Sequence, residues 1–394
     1  MTAFDTLEPR PADALLGLMA AFKADPREDK IDLGVGIYRD DNGATPIMAA
    51  VKAAEERLAQ AGGTKAYEGP RGNLDYCAAI EAFVYADAAR PGGLISFATP
   101  GGCGGLYLGM SLIKRSAPTA KMWVSDPTWP NHLAVAATLG LPTASYPYAD
   151  PAAPAVDVDK MMSALSAAEP GDGVLIQGPC HNPTGIDLTL DEWAAFGKFC
   201  ADRQLLPLLD VAYHGFAQSL DEDLKGVRTF LAGVPEAILA YSCSKNFGLY
   251  RDRSGAVLVQ SSSEAASEAV RTHLADIART SYSMPPAHGP AIVATILGDA
   301  ALTAIWREEL EAMNARMAEL RASLADALSP RSNSYDPQSL KAQNGMFSQL
   351  PFVPGGTDAL KEKGVYIPGS GRINIAGLRR DDIARVGSIL SEFV

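Results

Sequence analysis

Several places along this chain put reactive or anion-binding side chains directly after short apolar runs. Asp210 and then Tyr213 follow the run that starts at 205. Ser244, Lys245 and Asn246 follow 237–242, with Arg251 and Arg253 shortly after. Cys180-His181-Asn182-Pro183-Thr184-Gly185 follows 174–177. The stretch 126–132 (DPTWPNH), which contains Trp129 and His132, follows 121–125. A Gly-rich stretch, TPGGCGG, occupies 99–105 and includes Gly102 and Cys103.

A lysine in such a place can form a Schiff base when burial lowers its pKa. Most lysines are solvated surface groups, so Lys245 alone carries little weight. Ser242, Ser244 and Arg253 change that balance. Two hydroxyls and a guanidinium close to one lysine make a phosphate site beside an amine. Asp210 lies within an apolar run, where an unpaired carboxylate is expensive. It is either a buried structural ion pair or cap, or the partner of a protonated pyridine nitrogen. The glycines ahead of 106–110 are either an anion cradle at a helix N-terminus or a plain turn. They do not fit GxGxxG, because position 107 is Tyr, and GxxxxGK[ST] is absent. Amine, phosphate cradle, pyridinium partner and a stacking aromatic together describe pyridoxal 5′-phosphate.

The elements that must position these groups can be read coarsely. Apolar runs at 121–125, 174–177, 205–211, 237–242 and 255–260 read as strands. A helix is expected at 190–203, with Trp193, Phe196 and Phe199 at helical spacing. Continuous apolar strands alternating with helices imply a buried, mostly parallel sheet in an α/β fold. Such sheets bind ligands beyond the C-terminal ends of their strands, where the polar groups fall. A long helix is expected at 301–328, and then the texture changes. Turns rich in Pro and Gly and short strands such as 372–375 suggest a second, smaller α+β domain.

Composition bounds the partners. The 394 residues are 47% hydrophobic, which excludes intrinsic disorder and allows a large core. Length alone suggests roughly two to three domains. The 46 Asp and Glu against 34 Lys and Arg give a net charge of −12, against a nucleic-acid partner. No apolar run is long enough to span a bilayer, so no membrane partner is expected. The N-terminal stretch has no basic region before an apolar segment and does not read as a secretory signal. Cys77, Cys103, Cys180, Cys200 and Cys243 are scattered, with no CxxC or Cys/His ligand spacing. Reduced thiols in a cytoplasmic protein are expected, and no metal.

The motifs SCSKNFGLYRDRSG around Lys245, CHNPTG at 180–185, DPTWPNH at 126–132, LLDVAYHGF at 208–216, PPAHG at 285–289 and GSGRINIAG at 369–377 resemble the aspartate/aromatic aminotransferases. That family belongs to the class I aminotransferases, fold-type I pyridoxal-phosphate enzymes. The likeness covers nearly the whole chain, from IDLGVGIYRDDNG at 31–43 to the end.

The resemblance implies a mostly parallel seven-stranded sheet with helices on both faces, plus a smaller α+β domain. The large domain would be 41–304, and the small one would join 1–40 with 305–394. Lys245 would carry pyridoxal 5′-phosphate and shuttle the substrate proton. Asp210 would hold the pyridine nitrogen protonated, with His132 behind it. Tyr213 and Asn182 would hydrogen-bond the phenolate oxygen, and Trp129 would stack on the ring. Gly102, Cys103 through its backbone, Ser242, Ser244 and Arg253 would hold the phosphate, with Tyr67 reaching over from a second subunit. Arg372 would clamp the substrate α-carboxylate. Arg279 from the neighbouring subunit would meet a distal carboxylate, and Gly36 would close over the substrate. A homodimer with shared active sites is implied. The implied reaction moves an amino group between an L-amino acid and a 2-oxo acid such as 2-oxoglutarate, by a ping-pong mechanism. Aspartate and glutamate are expected first, with aromatic side activity. Aromatic amino acids as main substrates, or another pyridoxal-phosphate reaction on this fold, are the alternatives.

The chain departs from the family in places. A hydroxyl residue usually stands where Cys103 is, and Asn usually stands where Met284 precedes the paired prolines. The segment 351–356 (PFVPGG) replaces a more helical stretch.

Overall fold

The computed structural model describes residues 2–9, 13–86, 88, 93–150, 155–330 and 335–394. Its strands are β1 (Ile31–Asp32), β2 (Gly93–Pro100), β3 (Met122–Asp126), β4 (Thr143–Pro147), β5 (Gly173–Gln177), β6 (Leu206–Val211), β7 (Ala237–Ser242), β8 (Ser254–Ser261), β9 (Phe347–Gln349), β10 (Val365–Tyr366) and β11 (Arg372–Asn374). Seven of them form one sheet in the order β2-β8-β7-β6-β5-β3-β4. Only β8 runs against its neighbours, pairing antiparallel with β2 and β7. The expected mostly parallel sheet is therefore present, with helices on both faces.

The central strands are buried along their length, as sequences without polar alternation require. Successive side chains point to opposite faces. Leu209 and Tyr241 join one apolar cluster with Tyr76, Phe196 and Phe230. Leu208 and Ile238 join another, with Leu106, Met110, Ile113 and Leu274. The helix Gly101–Ser116 lies close against the sheet because Gly105 allows it. A Cβ there would come within 3.0 Å of Ala240 Cβ. Local chemistry sets the helix starts. Asn73 caps Leu74–Tyr85, and Thr189 with Glu192 forms a reciprocal capping box on Leu190–Asp202.

A third cluster draws Ile31 and Leu33 together with Leu324, Leu360, Val365, Ile373 and Val386. There β1 pairs with β10 and β9 pairs with β11. The helix Ala300–Ala327 is one continuous element shared between cores. Its Trp306 and Met313 pack in the first cluster, and its Leu320 and Leu324 pack in the third.

The glycines at 101–105 open the helix Gly101–Ser116, which is the helix N-terminus alternative of the sequence reading and not the plain turn. β2 and β4 carry no continuous apolar run and were not expected. Segment 351–355 lies outside regular structure before the short helix Gly356–Glu362. No single helix among the described residues is long and apolar enough to cross a membrane.

Candidate active site

The C-terminal ends of the parallel strands surround a cavity of about 250 Å³. Asp210, the second-last residue of β6, lines it. Its buried carboxylate Oδ2 lies 3.0 Å from Nε2 of the fully buried His132. His132 Nδ1 lies 2.8 Å from the Thr128 hydroxyl. One neutral tautomer serves both contacts: Nε2–H donates to Asp210, and Nδ1 accepts from Thr128. Asp210 Oδ1 has no hydrogen-bond partner among the described residues, so it is free for a donor in the cavity.

Lys245 sits in the turn after β7 and lines the same cavity. Its Nζ lies 5.1 Å from the Tyr213 ring centroid. Burial pushes its pKa down, and the Asp210 charge opposes that shift. Arg253 and Arg372 push in the same direction as burial. The outcome is a larger share of neutral, nucleophilic amine than a surface lysine has.

Ser242, Ser244, Arg253, Gly102 and Cys103 line one end of the cavity. Arg253 Nη1 donates to Ser244 Oγ at 3.4 Å and to the Tyr250 carbonyl at 3.1 Å. No carboxylate among the described residues pairs with it. Gly101 has φ of +68°, and a Cβ there would lie 2.4 Å from Arg253 Nη2. A lone guanidinium, two hydroxyls and the unpaired N–H groups of a helix start fit a phosphate dianion. Cys103 is committed elsewhere, because its Sγ accepts from Asn131 Nδ2 at 3.3 Å. Its backbone N–H remains in the first helical turn.

At the other end, Asn182 Nδ2 donates to the Tyr213 hydroxyl at 3.4 Å. Arg372 Nη1 donates to Asn182 Oδ1 at 3.2 Å, and Nη2 donates to the Gly34 carbonyl at 2.6 Å. Its Nε is buried with no partner. The guanidinium lies 4.2 Å from the Phe347 ring centroid, and burial lowers its pKa. A buried cation with an unused donor and no carboxylate partner is poised for an anionic ligand. Burial also pushes the Tyr213 phenol well up, against a smaller downward effect of Arg372. Trp129, N-terminal to Pro130–Thr138, lines the cavity and meets His132 edge to face, with centroids 5.3 Å apart. Gly36 also lines it, where a Cβ would come within 2.7 Å of Phe347 Cζ.

The structure thus brings Gly36, Gly102, Cys103, Trp129, Asn182, Asp210, Tyr213, Ser242, Ser244, Lys245, Arg253 and Arg372 around one cavity, with His132 behind Asp210. Tyr67 is 90% exposed and Arg279, bonded to Ser283, is exposed too. Neither lines the cavity of its own chain. Sequence reasoning missed Gln177, Tyr250 and Phe347. Gln177 brackets Asn182, accepting from its N–H at 3.0 Å and donating to its carbonyl at 2.8 Å. A polar residue closing a buried strand was the same signal that picked out Asp210. Phe347 comes from far along the chain and has no local signal. An adjoining cavity of about 700 Å³ shares Leu15, Cys103, Trp129, Asn182 and Arg372 with the first.

Residues 28–390 match the profile of the family described as aminotransferase class I and II. The chain is 46% identical to a tyrosine aminotransferase of Rhizobium meliloti (strain 1021), over 97% of this chain and 98% of that one. It is 39% identical to an aspartate aminotransferase of Salmonella typhi, over 97% of each. The crystal structure of an aromatic-amino-acid aminotransferase from Burkholderia pseudomallei, covalently bound to pyridoxal phosphate, superposes with a TM-score of 0.95. It is 35% identical and covers 100% of this chain and 99% of that one. Matched over residues 28–390, and with a cavity built around a buried lysine and two arginines that lack carboxylate partners among the described residues, this chain belongs to the aminotransferase class I and II family.

Proposed function

We propose that this aminotransferase uses pyridoxal 5′-phosphate, held at Lys245, to move an amino group between an L-amino acid and a 2-oxo acid such as 2-oxoglutarate, in ping-pong fashion. The carrying observation is the juxtaposition of the Lys245 amine with an unpaired Arg253 cradle on one side and the free Oδ1 of Asp210 on another. Amine, phosphate donors and pyridinium partner are the groups this cofactor needs, and they fit its chemistry.

Each residue then has a task. Arg253, Ser242, Ser244 and the backbone of Gly102 and Cys103 hold the phosphate. Asp210, oriented by His132, keeps the pyridine nitrogen protonated. Tyr213 and Asn182 would donate hydrogen bonds to the phenolate oxygen, and Trp129 would stack on the ring. When bound, the cofactor supplies an electron sink for the carbon that loses its proton. Lys245 would move that proton from Cα to the cofactor C4′, and back in the second half of the reaction. Arg372 clamps the α-carboxylate, and Gly36, whose missing Cβ lets the backbone pack close on Phe347, closes over the substrate.

Substrate choice follows the space beyond Arg372. The larger cavity is lined there by Leu15, Pro127, Trp129, Pro130 and Ala134, a wide and mainly apolar wall. That supports aromatic amino acids as good substrates, ahead of the order expected from sequence. The second reading puts aspartate and glutamate first and rests on Arg279 arriving from a partner. Comparing kcat/KM for phenylalanine, tyrosine and aspartate decides between them.

The chain is read as a homodimer with shared sites. Tyr67 stands exposed, and so do Phe4, Leu7 and Ile47, apolar groups suited to a second copy. Two units are proposed, 41–304 and the joined ends 1–40 and 305–394, hinged along the shared helix Ala300–Ala327. A cytoplasmic site is proposed from the free thiols of the five cysteines. The test of the whole reading is an absorbance spectrum before and after adding amino acid. A visible cofactor band should appear, shift with the amino donor and return with a 2-oxo acid. A protein that gains no such band after incubation with pyridoxal phosphate is not this enzyme.

A further inference from the structure

Beneath the cavity runs a buried chain of hydrogen bonds that the roles above do not use. His214, the residue after Tyr213, is buried. Its Nε2 lies 2.7 Å from the Leu220 carbonyl, and its Nδ1 lies 2.9 Å from the Tyr241 hydroxyl. Asn246, the residue after Lys245, donates from Nδ2 to that same hydroxyl at 3.0 Å. The Asn246 carbonyl accepts from Trp306 Nε1 at 2.7 Å.

Every proton in this chain has one place to be. The Leu220 carbonyl only accepts, so His214 Nε2 carries a hydrogen. Burial holds the imidazole neutral, with its pKa pushed down to about 4. Nδ1 is then a bare acceptor, and the Tyr241 hydroxyl must donate to it. The Tyr241 oxygen is left to accept from Asn246. Flipping the Asn246 amide would set its oxygen against an oxygen whose proton is already committed. Its Oδ1 is buried without a partner, so only Nδ2 anchors the side chain. The His214 and Tyr241 side chains are buried, and their surroundings are largely aromatic. Phe83 lies 4.6 Å from the His214 ring and 5.6 Å from the Trp306 ring, and Phe247 stacks on Trp306 at 4.3 Å. In such a setting hydrogen bonds are strong, and broken ones are expensive.

Both ends of the chain touch the site's own loops. His214 is bonded to Tyr213 through the backbone, and Asn246 to Lys245. The Lys245 amine lies over the Tyr213 ring. Taking Lys245 as the cofactor-bearing residue, we propose that His214, Tyr241 and Asn246 are positioning residues that lock the β6 and β7 loops together and fix the Lys245 amine over Tyr213. The one-way arrangement suits this task, because it has no second pattern of equal energy into which the loops could relax.

The test compares Tyr241→Phe, His214→Leu and His214→Gln with wild type, all loaded with pyridoxal phosphate. Gln offers an acceptor and a donor spaced like the two imidazole nitrogens. The reads are kcat, KM and the circular dichroism of the visible cofactor band, which reports cofactor orientation. Tyr241→Phe and His214→Leu should lose about 10- to 100-fold in kcat, the scale of a small misplacement of reacting groups. KM should change little, and the dichroic band should weaken. His214→Gln should keep both close to wild type. If Tyr241→Phe gives no folded protein, the two His214 variants decide. A kcat well below wild type in Leu but not in Gln supports the network, and equal kcat in both overturns it. Wild-type kcat and dichroism in folded Tyr241→Phe, with only the melting temperature lowered, also overturn it. Absence of a cofactor band in wild type would instead overturn the function on which the network rests.

Discussion

His132 Nε2 lies 3.0 Å from Asp210 Oδ2, with both side chains buried and the other His132 nitrogen bonded to Thr128. The carboxylate therefore takes a hydrogen bond from an imidazole and makes no direct ion pair with an arginine or lysine among the described residues. A buried carboxylate held in this way leaves its Oδ1 facing the cavity. An ion pair with arginine would have spent that charge on structure.

Asp210→Asn tests the use of that charge. The amide fills the same space and keeps one acceptor for His132, but it cannot keep a pyridine nitrogen protonated. Loss of kcat should be on the order of 100-fold or more, the scale of removing one preorganised electrostatic group. Bound cofactor, measured by absorbance, should change far less.

Lys245→Met tests the buried amine twice. Steady-state transamination should vanish, and a variant turning over at ordinary rates would end the assignment. Stability should move the other way in the cofactor-free protein. The folded-state pKa of Lys245 is lowered, so between that value and the unfolded 10.5 the unfolded chain binds the extra proton. Stability rises with pH through that window. Wild type should thus melt below Lys245→Met at neutral pH, and the gap should narrow toward pH 10.

Arg372→Lys removes the forked geometry and keeps a charge. Its Nη1 and Nη2 bonds to Asn182 and Gly34 cannot both be reproduced by one ammonium. Charge-assisted hydrogen bonds contribute about 1.5–3 kcal/mol each. A fall in kcat/KM of roughly 10- to 100-fold should follow for every amino acid tested, aromatic or acidic. A loss confined to one substrate class would show that Arg372 does not read the shared α-carboxylate.

Gly101→Ala probes the phosphate cradle from its backbone. The added Cβ meets Arg253 Nη2, and φ of +68° strains any side chain. The strain costs about 1–2 kcal/mol of stability. Displacing Arg253 acts separately on binding, and weakening one charge-assisted hydrogen bond of about 1.5–3 kcal/mol should raise the dissociation constant for pyridoxal phosphate roughly tenfold or more. Unchanged cofactor affinity would place the phosphate elsewhere.

Asp187 gives a pH signature of its own. It accepts from the Cys180 N–H at 2.9 Å, the His181 N–H at 3.0 Å and Asn344 Nδ2 at 3.1 Å, which ties the Asn182 loop to the segment before β9. Burial raises its pKa to about 6, against the downward pull of these donors. Between its unfolded 3.8 and that value the folded state holds the extra proton, so its contribution to stability falls as pH rises. From pH 4 to 6, wild type should lose about 2 kcal/mol relative to Asp187→Asn, followed by chemical denaturation. Parallel curves would place the titration elsewhere.

Much of the site was legible because its chemistry lies directly after apolar strands. Asp210 and Lys245 stand out as polar groups closing buried runs, and Ser242, Ser244 and Arg253 are close to Lys245 in the chain. The helix Ala300–Ala327 was equally plain from its long apolar period. β4 was not, because an edge strand that is mostly exposed carries no apolar run. β2 is punctuated by Gly93 and Pro100 and reads as a turn at either end.

What the amino-acid order determined by itself was the kind of chemistry and the strands that present it, since neighbours in sequence stay neighbours in space. What only tertiary structure decided were the partners. Arg372 meets Asn182 across 190 residues, Phe347 slides beneath the guanidinium, and His214 reaches Tyr241 across 27. Those contacts depend on which faces pack together and on which buried donors are left without acceptors. No local pattern of residues encodes either.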